Sequence, residues 1–417
     1  MRTLRPAALV GATAAVVLLV IVAGWLAVSR QDIGRSDFTS TYVGATLLRQ
    51  GHGDRLYDEN LQAPLHASLI APDREGNLPF VNPPAAAVAA LPLTRLSLDT
   101  AYRLFGLLQL ALLGFAVVIA ARAAPWPQAT PRSVVVAACL VALAGTGTVN
   151  LLLLGQWDGT CALGLALAYA NLRRGRPVRG GAWLAAGAAF AKPHLAIGLA
   201  AYALGRRDRR LLLGAAGAVA ALAGVALAAA GPAGTAGFAH AALDSTGRWP
   251  LRSMLGFTGL FGSWLGDTAA AHALAAVGTA LAALGCGALG NAVRRSPQLL
   301  EPALAGAAAL SLLASPHLLG HDLVLLAPAL VWCLAWAAQL DHRSVWPGPA
   351  GLKLIGLWLV VALAARVDLG NDAPAPPGRL VPWALLATGW AAMAVCGLRR
   401  TQGARSRAAT VAQGSGR

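Results

Sequence analysis

The stretch Ala188-Ala189-Phe190-Ala191-Lys192-Pro193-His194-Leu195 decides how this chain is threaded. Apolar residues run to Ala191 and resume at Leu195, with a lysine, a proline and a histidine between. If residues 180–205 form one broken helix, the number of membrane crossings is odd. If 180–191 and 193–205 are separate spans, it is even. Everything downstream changes side with that choice. A membrane is the only reasonable solvent for such a chain. Its 417 residues are 57% hydrophobic and 12% charged, with mean hydropathy +0.61, whereas a soluble domain carries about 25% charge. The fold class expected is an all-α polytopic membrane protein. About twelve transmembrane helices are expected, near 7–28, 98–121, 133–154, 157–172, 180–191, 193–205, 211–230, 268–290, 300–315, 321–339, 351–366 and 380–397. Many are rich in Ala and Gly, which are weakly hydrophobic but let helices pack closely in lipid.

Charge settles the threading. With the N-terminus inside and two short spans meeting at Lys192, 21 of the 33 lysines and arginines fall inside and 14 of the 17 acids outside. A single helix over 180–205 would put Arg206, Arg207, Arg209 and Arg210 outside, against the positive-inside rule. The same rule accounts for the net charge of +16, and no nucleic-acid partner is expected. The first apolar run is about 22 residues long, longer than a signal-peptide core, so it reads as an uncleaved first helix. The five cysteines lie in or beside apolar runs without a CxxC pair, which argues against a disulfide or metal framework. Residues 1–398 are expected to form one integral-membrane domain with a large first outer loop over 29–97. The basic tail, 399–417, is expected to be disordered and, like the N-terminus, cytoplasmic. Membrane lipids are the partners this charge distribution implies.

The conspicuous polar groups then gather on the outer side. Asp37 opens the longest polar segment, Arg35-Ser36-Asp37-Phe38-Thr39-Ser40-Thr41-Tyr42. A helix is expected from Asp37 to Gly51, with Asp37, Thr41, Gly44 and Leu48 on one face. There the carboxylate either caps the helix or acts as a general base on a hydroxyl. Lys192 is the only lysine apart from Lys353. A cation at membrane depth is costly and marks function by default, and a compact ammonium suits a phosphate oxygen. The alternative is a snorkelling interfacial lysine. His317 and His321, with Asp322, share one turn. Pro316 and the lack of a third ligand disfavour zinc, so they read as hydrogen-bonding groups for a phosphate or a sugar hydroxyl, or as interfacial packing. Gln156 and Asp158 flank Trp157 in a turn. Arg248, beside Trp249, fits either a phosphate clamp or a headgroup anchor. No Walker motif, Rossmann fingerprint or HExxH is present, and neither a cofactor nor a metal is expected.

Taken in order, Asp37, Tyr42, Gly44-Ala45, Leu48 and Gly51, then Leu56-Tyr57-Asp58 and Phe80-Val81-Asn82-Pro83-Pro84, then Gly155-Gln156, Ala191-Lys192-Pro193, Ser315-Pro316 and His321-Asp322, resemble glycosyltransferase family 87. The resemblance runs from about 30 to 340 and rests on the order of short motifs. It implies a C-type membrane glycosyltransferase fold and transfer of a sugar, mannose or another hexose or pentose, from a polyprenyl-phosphate donor. The acceptor implied is an envelope glycolipid or glycan, at the outer face of a bacterial plasma membrane, with inversion. It makes Asp37 the catalytic base and Lys192 the donor-phosphate contact. It also carries His321, less closely, into the donor site, and Tyr42, His317, Arg248 and Gln156 are grouped with it as substrate-binding candidates. Asn82 stands where the family commonly has tyrosine, a departure that bears on sugar or acceptor preference. Two other readings fit the topology. A lipid or polysaccharide transporter would place its polar groups through the midplane. An O-antigen-type polymerase or ligase would take a diphosphate-linked donor.

Overall fold

A computed structural model describes residues 4–73, 78–244, 251–340, 348–364 and 378–414, and among them every regular element is a helix. α1 (Leu4–Leu26) leads into four short helices, α2 (Arg30–Gly34), α3 (Asp37–Arg49), α4 (Glu59–Ile70) and α5 (Pro84–Ala90). α6 (Leu98–Ala123) follows, then α7 (Arg132–Leu143) and α8 (Thr146–Leu154), bent by 53° at their junction. α9 (Asp158–Arg173), α10 (Pro177–Ala189) and α11 (Ala196–Arg206) are short. α12 (Arg209–Asp244) is long and kinked at Gly231-Pro232, and α13 (Phe257–Leu265) and α14 (Ala269–Arg295) come next. α15 (Leu300–Leu313), α16 (Ala327–Leu340), α17 (Pro349–Ala364) and α18 (Val381–Gly414) complete the chain.

Five helices are long and apolar enough to cross a membrane, six if the bent pair α7–α8 is one span. This is fewer than the dozen expected. Each expected segment is helical, but α9, α10, α11 and α15 are only 16, 13, 11 and 14 residues long. α9 and α15 sit largely inside the protein, every residue of α15 being buried, whereas α10 and α11 also turn Trp183, Ile197 and Leu204 outward. Backbone shielded by neighbouring helices is not held to the length that lipid demands. The outside of the bundle is carried by the long helices, where Leu19, Phe115, Leu213 and Leu284 are exposed. Apolar side chains facing outward in such numbers fit a hydrocarbon solvent.

The chain does reverse at Lys192. Gly181, early in α10, packs on the backbone of Leu211 at the start of α12, and the end of α11 at Arg206 leads straight into that start. The start of α10 and the end of α11 therefore share one face, with Lys192 at the opposite turn. Small residues make this possible, because a Cβ on Gly164 of α9 would run into Gly187 of α10. α18 continues to Gly414, through a stretch rich in alanine and arginine, both strong helix formers.

The expected outer loop is folded. Ser97 caps α6 by accepting from the Thr100 amide, and Asp58 caps α4 by accepting from the Asn60 amide. α3 is buried from Phe38 to Leu47, wedged against α5 and the Leu91–Arg95 turn. Phe38 meets Phe105 and Tyr102 of α6 at ring-centroid distances of 5.0 and 6.0 Å. Gly44 lies under the Phe80 ring, where a Cβ would stand 2.6 Å from Cγ.

Candidate active site

Asp37 is the first residue of α3, and Ser36 is its cap. The hydroxyl of Ser36 turns away to the Ile33 carbonyl, donating at 2.6 Å. The Asp37 carboxylate is therefore not used as a helix cap. Its Oδ2 accepts instead from Nε2 of Gln156, more than a hundred residues along the chain. That pairing depends on Gly155, which ends α8 at φ 62°. A side chain there would strike Phe38 as well as being strained in the left-handed region. Trp157 is wedged between Phe105 and Phe190, at 4.7 and 5.3 Å. With that ring fixed, Gln156 reaches Asp37 while Asp158 reaches the centre described next.

Lys192 is 4% exposed. Its Nζ lies 2.9 Å from Oδ2 of Asp158 and 2.8 Å from Oδ1 of Asp322. The other oxygen of Asp322 accepts from the Leu319 amide at 2.8 Å, and His321 Nε2 is 3.5 Å from Oδ1. One ammonium thus closes a ring between the start of α9, the α10–α11 turn and the 315–326 segment. The ring sets two carboxylates around one ammonium. Lys192, expected to contact a donor phosphate, is engaged here by both carboxylates. Burying a lysine requires carboxylate partners, and both are in place. Asp158, His321 and Asp322 also offer ligand atoms within 4.8 Å of one another. A metal ion would have to displace the ammonium that already lies between those carboxylates, so the donor set as folded fits lysine rather than a metal.

Burial pushes the Asp37 carboxyl above its usual range of about 3.8. Lys192 and the Gln156 amide pull it back, and Asp322 adds a smaller upward push. Asp37 and the lysine-centred ring therefore sense each other's charge. Among the described residues, His317 Nε2 and His321 Nδ1 are buried without a hydrogen-bond partner, two imidazole nitrogens left free beside a charged centre. The His317 ring also stands 6.3 Å from that of His194, edge to face.

The remaining candidates divide. Asn82 donates to the Ala191 carbonyl at 3.0 Å, and its own carbonyl accepts from Tyr57 at 2.6 Å. It pins the first segment to the residue before Lys192. Tyr42 is buried and donates to the Leu96 carbonyl at 2.7 Å, so its hydroxyl is spent on holding α3. Arg248 lies outside the described residues. Asp158 and Asp322, the ring's two carboxylates, were noted beside Gln156 and His321 but not as partners of Lys192. The signal that could have found them is the requirement itself, that a lysine this apolar in context needs acidic partners.

A sequence model described as glycosyltransferase family 87 matches residues 80–316. The match contains Asn82, Gln156, Asp158 and Lys192, and leaves Asp37 to its N-terminal side and His317, His321 and Asp322 to its C-terminal side. No curated protein and no solved structure matches the chain significantly.

Proposed function

The chain belongs to glycosyltransferase family 87 and is a membrane glycosyltransferase, and from that premise we propose that it moves a sugar from a polyprenyl-phosphate donor to a hydroxyl of an envelope glycolipid or glycan. The sugar is mannose or another hexose or pentose. The observation that carries the reading is the Asp37 carboxylate, released from helix capping and aimed by Gln156, beside a buried charged ring.

Asp37 takes the proton of the acceptor hydroxyl. The acceptor oxygen forms its bond to the anomeric carbon as the bond from that carbon to the phosphate oxygen breaks. The electron pair leaves with the polyprenyl phosphate, and the configuration inverts. Base assistance of this kind is worth roughly 10²–10⁴-fold. The free nitrogens of His317 and His321 donate to the departing phosphate, a stabilisation aimed at charge that develops in the transition state. Lys192 acts one step back, holding Asp158 and Asp322 and lending positive potential to the site. The reaction needs no metal in this scheme. The active face is the extracytoplasmic one, with both termini in the cytoplasm, in line with the distribution of arginines.

The test is purified protein in lipid with a panel of short-chain polyprenyl-phosphate sugars and envelope extract as acceptor, read by mass spectrometry and by the anomeric configuration of the product. Consumption of a monophosphate donor with an inverted product supports the assignment. Consumption of diphosphate-linked oligosaccharides alone would refute the donor class.

A further inference from the structure

At the far end of α9 from Asp158 lies a second polar cluster that the transfer chemistry does not use. Arg173, in the last turn of α9, pairs with Glu301 at 3.2 Å, and Tyr169 donates to Glu301 at 3.0 Å. Tyr202 of α11 is fully buried, and Arg206 follows one helical turn later on the same face. Among the described residues the Tyr202 hydroxyl has no hydrogen-bond partner, and neither have Nε and Nη1 of Arg206, although all three atoms are buried. Leaving a buried charged donor unmatched is costly, and an orphan of this kind is met by a water, an ion or a ligand group. Glu301, the one acid in the cluster, is already engaged by Arg173 and Tyr169.

The surroundings give the sign of that ligand. The ends of α9, α11 and α14 and the starts of α10, α12 and α15 meet on this face. Gly290 of α14 packs on the backbone of Tyr202 and Arg206. The helix ends on this face carry Arg173, Arg206, Arg209 and Arg295, with Glu301 paired to Arg173. A fork-shaped guanidinium with free donors, next to a free hydroxyl, matches phosphate oxygens. Basic recesses between helix ends on a membrane face are suited to anionic headgroups.

We propose that Arg206 and Tyr202 form a seat for one phosphate group of an anionic phospholipid, on the face of the protein opposite the transfer site. The lipid enters from the surrounding leaflet at the partly exposed edge of Arg206, and its phosphate accepts from the guanidinium and the phenol.

The experiment is native mass spectrometry of delipidated, detergent-solubilised protein with added phosphatidylglycerol, on wild type, Arg206→Ala, Tyr202→Phe and Arg209→Ala. Arg209 is an exposed arginine of the same face and controls for general attraction. Wild type and Arg209→Ala should retain one lipid, while Arg206→Ala and Tyr202→Phe lose about tenfold or more in retention. Competing inorganic phosphate separates the sources. Displacement means that the phosphate group alone is held, and no displacement means that the lipid is held as a whole. Either result keeps the seat. Equal retention by all four proteins, or equal loss in Arg206→Ala and Arg209→Ala, overturns it. Should Arg206→Ala fail to fold, Tyr202→Phe, which removes a single oxygen, decides alone.

Discussion

Asp37 and Gln156 show how little of the site is local. The amide donates to the carboxylate and so favours its ionised form. Removing it in Gln156→Ala takes away a downward pull on an already raised pKa. A base works only when ionised, so the acid limb of the rate profile should move to higher pH in Gln156→Ala, with the plateau rate reduced. A pH–rate series on both proteins reads this directly. An unmoved limb would mean that Asp37 is not the group titrating. The sequence carried Asp37 itself plainly, as the opening of the longest polar run. It did not show whether the carboxylate caps α3 or faces a substrate. Ser36 decides that by sending its hydroxyl to Ile33, a choice invisible without coordinates. Tyr42 misled for a related reason, because a tyrosine beside a candidate base looks chemical until its hydroxyl is found on the Leu96 carbonyl.

At the scale of elements, the ring around Lys192 ties α9, the α10–α11 turn and the 315–326 segment together. Lys192→Met should leave two buried carboxylates uncompensated and cost about 3–5 kcal/mol, seen as a large drop in thermal stability in detergent. Replacing all three partners, in Asp158→Asn/Lys192→Met/Asp322→Asn, should recover much of that stability. If the single and triple variants melt alike, the ring is not what joins these elements. Lysine was legible as unusual because the chain otherwise uses arginine. Its partners were not legible. Fourteen acids were available on the same side, and nothing in the spacing of Asp158 or Asp322 selects them. The expected role of Lys192 as a donor-phosphate contact was read without those partners in view. The number of membrane-crossing helices differs from the dozen expected, while the helices themselves fall where they were expected. An Ala- and Gly-rich run such as α15 looks like a span by composition, but close packing buries it within the bundle, where a shorter helix suffices.

At the scale of the whole molecule, the transfer site and the arginine-rich face lie at opposite ends of the short helices. α12 makes the separation concrete. It starts at Arg209, and Ala229, some twenty residues on, packs against Gly53 beside Asp54. At 1.5 Å per residue that is about 30 Å, the thickness of a hydrocarbon core. Cysteines placed at the exposed positions Arg209 and Asp54 should therefore react with a membrane-impermeant thiol reagent from opposite sides, Asp54→Cys from outside intact cells. Reaction of both from one side would break the threading. The reversal at Lys192 was argued from arginines, and the packing of Gly181 on Leu211 agrees with it. The far cluster of Arg206, Tyr202 and Glu301 was not legible, because an arginine on the inner side is expected everywhere and only its unmatched nitrogens set it apart.

The central claim is that Asp37 is the base of a sugar transfer, and single-turnover transfer by wild type beside Asp37→Asn in lipid, with a polyprenyl-phosphate sugar, tests it most directly. An ionised carboxylate whose pKa is raised on folding costs stability at neutral pH, so Asp37→Asn should melt no lower than wild type. Its transfer rate should fall by roughly 10²-fold or more. Transfer by Asp37→Asn at close to the wild-type rate would contradict the account.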